Sequence, residues 1–409
     1  MFPIKRKFLS ATWRLKQATV KGFNATTRYL IDGITEKYWL LDYLPTFWKK
    51  KDGVLLIRLD LIGDFVLWLD SAQAYRGLYP DQRITLLVNS ACRDLALTLP
   101  HWDEVIGVNV GAFRTNAVYR FITLTKLRWR NFKTAVQPTF SREFAGDLAL
   151  RSTHAIARLG YEGDTNNIPS SLKVKTDLWY TMLVTNDRTK TMELNINAHF
   201  IREIGGKNFL SRLPLIPQAC ELPAPLQFNE PYIVIAPGAS WVHKMWPIQN
   251  FTQLIEQLVS TFKLKIVLCG GSDDRQVCDQ LAKLVSSVQV TDLSGKTTLP
   301  ELVEMIRGAR LLITNDSSPV HIAAATATDS VCILGGGHFG RFLPYQIETE
   351  TSSPFPTILK YEMDCYGCGW RCVYPLERQQ ATQCIANVNV ALVYEACLQN
   401  LLSGEEFQR

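Results

Sequence analysis

The stretch from Ala309 to Ala325, ARLLITNDSSPVHIAAA, restricts this chain to few architectures. Its run Leu311-Leu312-Ile313-Thr314 has the unbroken apolar character of a parallel strand buried on both faces. The run stops at Asn315-Asp316, and Ser318 followed by Pro319 then supplies an N-cap with proline at the first helical position. A strand therefore feeds straight into a helix. The opening turn of that helix presents unpaired backbone N–H groups and the positive end of a dipole, with Ser317, Ser318 and His321 beside them. Such a turn suits a phosphate or diphosphate, and Asp316 falls at the edge where open α/β sheets bind ligands. The same pattern also serves as a plain strand–turn–helix unit with no ligand.

The same logic applies at Gly53, where VLLIRLDLIGDFVLWLD begins. Val54 to Ile57 has a buried-strand pattern, Leu61-Ile62-Gly63-Asp64 is the turn, and Phe65 to Tyr75 continues at helical apolar spacing. Asp64 thus stands at a helix start, where the dipole favours a carboxylate. It is expected to stay ionised, as a base of modest strength or as a simple N-cap. A second strand at Ile84–Val88 completes a β-α-β unit. Arg58, Arg114 and Arg142 lie near expected strand ends and turns, as candidates for an anionic acceptor or as solvated surface residues.

Polar, proline-containing sequence between Asp164 and Glu230 ends in LPAPL, which marks a linker at residues 222–230. A second unit opens with Tyr232–Ala236 and the loop PGASWVHKMWP, in which Lys244 is placed to neutralise phosphate. The strand Lys265–Cys269 runs into Gly270-Gly271-Ser272-Asp273-Asp274. There the glycines permit close backbone approach and Asp273 or Asp274 can accept ribose hydroxyls, or start a helix. Further on, Gly335-Gly336-Gly337-His338-Phe339-Gly340 formally matches a dinucleotide fingerprint. Pro344 follows where a phosphate helix would have to run, so Gly336 and Gly337 are read instead as part of a ligand-facing loop.

Charge separates the amino-terminal segment from the rest. Residues 1–51 hold eleven Lys or Arg against three acids, while the remainder is close to neutral within a net +6. Aromatics interleave those cations, including Phe2, Phe8, Trp13, Trp39 and Trp48, so the segment is expected to be a helical arm. It would either adsorb to an anionic membrane surface or pack back on its own domains; no nucleic-acid module accompanies it. No run of about 18 apolar residues occurs and no apolar signal core follows the first basic residues, so a cytoplasmic protein is expected, peripheral at most on the inner face of the inner membrane. Of ten cysteines, four form Cys365-x2-Cys368-x3-Cys372-x11-Cys384. In a reducing compartment that spacing suggests a structural zinc site, with free thiols or a disulfide as the other readings. Ile385 to Leu402 has the spacing of a closing helix.

Taken together and in this order, RLDLIGD, PGASWVHKMWP, LCGGSDD and ITNDSSPVHIAAA resemble the glycosyltransferase family 9 proteins, which include the ADP-heptose:lipopolysaccharide heptosyltransferases. The resemblance spans about residues 53–345. It implies an α/β GT-B fold, two Rossmann-like domains facing across a cleft: an acceptor domain over 52–221, a donor domain over 231–384, and a helix within 385–409 that crosses back. It implies Asp64 as catalytic base and Lys244 as the donor-phosphate lysine. Asp316 and the Ser317-to-His321 helix start would form the pyrophosphate site, and Gly270 to Asp274 the nucleoside site. The implied reaction is inverting, needs no cofactor or metal, and joins a nucleotide-sugar donor to a glycan or glycolipid acceptor. No Asp-x-Asp motif stands at a strand end. The sequence Ser-Ser-Pro-Val-His-Ile, the GGGHFGRFLPY segment, the cysteine cluster and the basic arm depart from the heptosyltransferase branch. A nucleotide-sugar epimerase and a non-catalytic nucleotide-sugar-binding protein are the other classes open at this point.

Overall fold

The computed structural model describes residues 51–187, 191–285 and 289–403. The basic arm expected over residues 1–51 lies, except for Lys51, outside the described residues.

Among the described residues twelve strands form two six-stranded sheets, each parallel throughout. The first contains β1 (Val54–Arg58), β2 (Ile84–Asn89), β3 (Glu104–Val108), β4 (Thr134–Gln137), β5 (Ala157–Tyr161) and β6 (Met182–Val184), in the order β3-β2-β1-β4-β5-β6. The second contains β7 (Tyr232–Ala236), β8 (Lys265–Leu268), β9 (Val290–Asp292), β10 (Leu311–Asn315), β11 (Ser330–Ile333) and β12 (Thr357–Leu359), in the order β12-β11-β10-β7-β8-β9. Both are the same doubly wound order. The winding reverses between β1 and β4 in one sheet and between β7 and β10 in the other, and ligand crevices open beyond the carboxyl ends of such strand pairs. Val54 stands opposite both Ile84 and Thr134, and Thr314 opposite Ala236, which levels the ends that carry the site. This is the two-lobed GT-B architecture.

Six helices carry the rest of the argument: α1 (Ile62–Ala72), α2 (Glu193–Glu203), α3 (Ile248–Thr261), α4 (Leu299–Arg307), α5 (Ser318–Thr326) and α6 (Val390–Ser403). From Phe65 to Ala72 every residue of α1 is buried, and from Pro319 onward so is every residue of α5. Each is largely apolar because each is covered on more than one side: the two pack on each other, α1 also on α2, and α5 also on β10 and β11. The alanines of α5 permit that close approach, and one continuous core runs from β1 through Phe65 and Trp68 into Ile322 and Ala323.

The chain passes between lobes along residues 209–223, which hold no helix or strand. Arg212 donates through its backbone N–H and its Nε to Asp70 of α1, 3.0 Å each. Ile216 N–H then bonds the Ala325 carbonyl at 2.9 Å, and Ala219 N–H the Glu304 carboxylate at 2.8 Å. The connector thus begins before the proline-rich 222–230 segment. The carboxyl-terminal helix also differs from expectation: instead of crossing back, α6 buries Val393, Cys397 and Leu401 in the second lobe's core, against Ile233, Ile235 and Phe251. Its apolar stripe already has a partner there. Among the described residues no helix is long and apolar enough to cross a membrane.

Candidate active site

The carboxyl ends of β1 and β4 form one wall of a cleft of about 630 Å³. Beyond β1 the chain supplies Leu59, Asp60, Leu61 and Asp64; beyond β4 it supplies Thr139, Ser141 and Glu143. Asn109, Gly111 and Arg114 extend this wall, and Lys244, His338, Arg341 and Phe342 of the second lobe face it. Arg58, the last residue of β1, is buried; its Nε lies 2.7 Å from Asp60, and its guanidinium donates to the Asp64 carbonyl at 3.2 Å. It therefore organises the turn from below and does not line the cleft.

Asp64 is the cleft carboxylate that this environment brings close to neutral pH. Burial, then the negative charges of Asp60 and Glu193, raise its pKa from 3.8 to about 7, opposed by Arg58 and Arg341. The expectation of a plainly ionised carboxylate fails because desolvation and two neighbouring acids outweigh the helix dipole. The outcome is a stronger base, poised near neutral pH.

On the facing side, β7 and β10 end together. Asn315, fully buried, donates to the Pro237 carbonyl at 2.7 Å and accepts from the Trp246 N–H at 3.0 Å. Two bonds thus clamp the loop that carries Lys244. Trp246 donates its indole N–H to the Val388 carbonyl at 3.0 Å and stacks edge-on with Phe251. Burial lowers the Lys244 pKa, while the charges of Asp316 and Asp64 raise it. One ammonium thus lies in the field of carboxylates from both lobes. Asp316, half-buried, has its pKa raised by burial against the pull of Lys244.

The amino ends of α1 and α5 meet; α1 reaches the cleft through Asp64, whereas Asp316, Ser317 and Ser318 stand behind its lining. A Cβ on Gly63 would lie 3.2 Å from the His321 ring and 3.6 Å from the Ser318 Cα. His321 itself is buried, holds the Tyr345 hydroxyl at 2.7 Å through Nδ1, and is held neutral by burial, its pKa lowered to about 3. It packs the inter-lobe seam beneath the helix start. Ser317 and Ser318 stay half-buried at that start.

Arg341 joins the two walls. Its Nη2 donates to Ser141 at 2.8 Å and approaches Glu193 at 3.3 Å, and the Glu193 N–H bonds the Arg341 carbonyl at 2.8 Å.

The model of glycosyltransferase family 9 (heptosyltransferase) matches residues 211–357. Lipopolysaccharide heptosyltransferase 3 of Escherichia coli is 26% identical over 293 residues, 67% of this chain and 79% of that protein. The chain is heptosyltransferase-like, similar to the family 9 glycosyltransferases. Lipopolysaccharide heptosyltransferase 2 of the same organism is 29% identical over 303 residues, covering 69% of this chain and 82% of its relative. The structure of E. coli ADP-heptose lps heptosyltransferase II superposes with a TM-score of 0.65 at 19% identity, over 86% of this chain and 99% of that one.

Other residues singled out in the sequence stand elsewhere. Arg142 is fully buried against Asp147 and Asp177, with the Tyr180 ring 4.7 Å from its guanidinium, so it braces the first lobe and is absent from the cleft lining. Arg114 does line the cleft, paired with Glu143. Asp274 accepts from the Gly271 N–H at 2.8 Å and fills the space over Gly238 and Gly270, a helix cap more than a ribose contact. Asp273 lies in the same short helical turn, Ser272–Asp274. Gly336 and Gly337 do not face open space: the rings of Tyr366 and Trp370 occupy the positions their Cβ atoms would take. Cys365, Cys368, Cys372 and Cys384 line one small cavity and are free thiols. Their sulfur donor set suits a soft cation, yet among the described residues no group of three or more His, Cys, Asp or Glu has metal-holding geometry. Glu193, Asn315 and Arg341 carry no motif and were invisible as site residues until folding joined their segments.

Proposed function

We propose that this enzyme transfers a heptose from ADP-heptose to a hydroxyl of a lipopolysaccharide-type acceptor, with inversion at the anomeric carbon and without a divalent cation. The observation that carries this reading is the meeting of Asp64 and Lys244, one from each lobe, across a single cleft. Asp64 removes the acceptor hydroxyl proton as that oxygen forms its bond to the anomeric carbon. The bond from that carbon to the diphosphate oxygen breaks with its electron pair, and the nucleoside diphosphate departs on the opposite face. Lys244, beside Asp316, and the α5 amides at Ser317 and Ser318 meet the negative charge where it develops. A fixed cation and a helix start thus supply the stabilisation that a bound metal gives other transferases. Arg114 and Arg341 offer positive charge on the acceptor side.

Two peripheral assignments extend this reading. Residues 1–51, with their eleven cations, draw the enzyme to the anionic cytoplasmic face of the inner membrane, at about 1 kcal/mol per Lys or Arg near the lipid. The thiol quartet is read as four free thiols, a reading that metal analysis of purified protein finding bound zinc would end.

Incubation with ADP-heptose and a core-oligosaccharide acceptor, followed by NMR of the product's anomeric carbon, tests the reaction. Inversion in metal-chelated buffer is expected. Retention, or donor conversion without acceptor as an epimerase would give, overturns it.

A further inference from the structure

The segment that bears the four cysteines is laced to both loops of the donor wall. Gly367 N–H bonds the Gly336 carbonyl at 2.8 Å, Gly369 N–H the Gly337 carbonyl at 2.9 Å, and Thr382 N–H the His243 carbonyl at 2.9 Å. Between these anchors the knuckle Cys368-Gly369-Trp370-Arg371-Cys372 turns sharply. Gly367, Gly369 and Trp370 all take positive φ, +82°, +61° and +61°. Glycine adopts that conformation freely, whereas a bulky aromatic does so only where its surroundings hold it there.

The Trp370 side chain shows what holds it. One face of its indole lies on the backbone of Gly335 and Gly337, where any Cβ would collide with it. Trp241 and His338 meet the ring edge-on, with centroids 6.3 and 6.2 Å away. Among the described residues the indole N–H has no hydrogen-bond partner, so contact on the ring faces sets its position. Against this ring stands the Lys244 ammonium, 4.2 Å from the centroid. Cation–π attraction is strongest for tryptophan and grows when the cation is partly desolvated, as Lys244 is.

We propose that Trp370 is a positioning residue for the donor: seated on the glycine run by the cysteine-bearing segment, it holds the Lys244 ammonium at the cleft, aimed at the donor diphosphate. The proposal rests on Lys244 being the donor-phosphate group. It gives the glycine run a purpose, since only residues without side chains leave room for the indole. It also links the thiol segment, through one ring, to donor affinity.

The test compares ADP dissociation constants for Trp370→Phe, Trp370→Met, Lys244→Ala and the double variant Lys244→Ala/Trp370→Met, by isothermal titration calorimetry on the full chain. Phe keeps a ring face, while Met keeps apolar bulk without one. Trp370→Met is expected to weaken ADP by about 5- to 30-fold and Trp370→Phe by less than about 3-fold. In the Lys244→Ala background the Met substitution should add less than about 2-fold, because a ring that acts through Lys244 has nothing left to hold. An equal loss in both backgrounds would show a merely structural role and overturn the proposal, as would unchanged affinity in Trp370→Met. Should the Met variant not fold, a folded Phe variant that loses ADP binding refutes it. If Lys244→Ala itself leaves ADP affinity unchanged, the lysine assignment fails first, a separate and recognisable result.

Discussion

Replacing Asp64 by asparagine should lower turnover and raise stability together. The isostere cannot accept a proton, and a positioned general base contributes typically 10²- to 10⁴-fold, so turnover is expected to fall by at least about 10²-fold. The stability change follows from the same environment. Asp64 has its pKa raised from 3.8 to about 7, so the folded protein holds its proton where the unfolded chain has lost it. Below about pH 4 both states are protonated and the site costs nothing; between pH 4 and 7 the cost of ionising it in place grows; above pH 7 it is fully present. A shift of one unit corresponds to about 1.4 kcal/mol, so the whole cost is on the order of 4 kcal/mol, reduced to about 2 by the shared charge of Asp60 and Glu193 and by water in the cleft. Asp64→Asn should therefore melt several degrees higher than wild type at pH 8 and about the same at pH 4. In wild type, turnover should rise with pH through about 7 and level off. The assay is release of nucleoside diphosphate at saturating donor and acceptor, from pH 5.5 to 9, beside thermal melts at both ends. Unaltered turnover in the variant, or a variant less stable at pH 8, would refute the reasoning.

Further expectations follow from other contacts. Lys244→Ala should weaken ADP binding by about 10- to 100-fold, because it removes the cation facing the diphosphate; calorimetry reads this directly. Asn315→Ala strands the buried Pro237 carbonyl and Trp246 N–H, at about 1–3 kcal/mol each, so denaturant melts should show a loss of about 2–6 kcal/mol along with weaker ADP binding. Arg341→Met removes a positive charge that favours ionised Asp64, so the acid limb of the pH–rate profile should move to higher pH; a shift to lower pH contradicts the placement. Deleting residues 1–45 should abolish sedimentation with vesicles rich in anionic lipid, and full-length protein that fails to sediment ends the membrane assignment.

Much of this arrangement could be read from the sequence because parallel strands covered on both faces leave unbroken apolar runs. Val54–Ile57, Tyr232–Ala236 and Leu311–Ile313 are such runs, and each ends at the carboxyl edge of its sheet. The helix starts at Asp64 and Ser318 were visible through local turn chemistry for the same reason. What stayed hidden came from segments far apart in sequence. The ionisation of Asp64 depends on Glu193 of α2, and the clamp on the Lys244 loop depends on Asn315, whose only local sign is a polar side chain ending an apolar strand. Gly336 and Gly337 looked like ligand-facing backbone because nothing nearby in the chain announces that Trp370 and Tyr366 fold over them. Arg142 looked available to an acceptor until Asp147 and Asp177 enclosed it.

The most direct test of the account pairs two variants in two measurements: ADP dissociation constant and turnover for Asp64→Asn and Lys244→Ala. If one lobe supplies the base and the other grips the diphosphate, Asp64→Asn keeps near-native ADP affinity while turnover collapses, and Lys244→Ala loses ADP affinity. Equal loss of ADP affinity in both variants, or in neither, would contradict that division between the lobes.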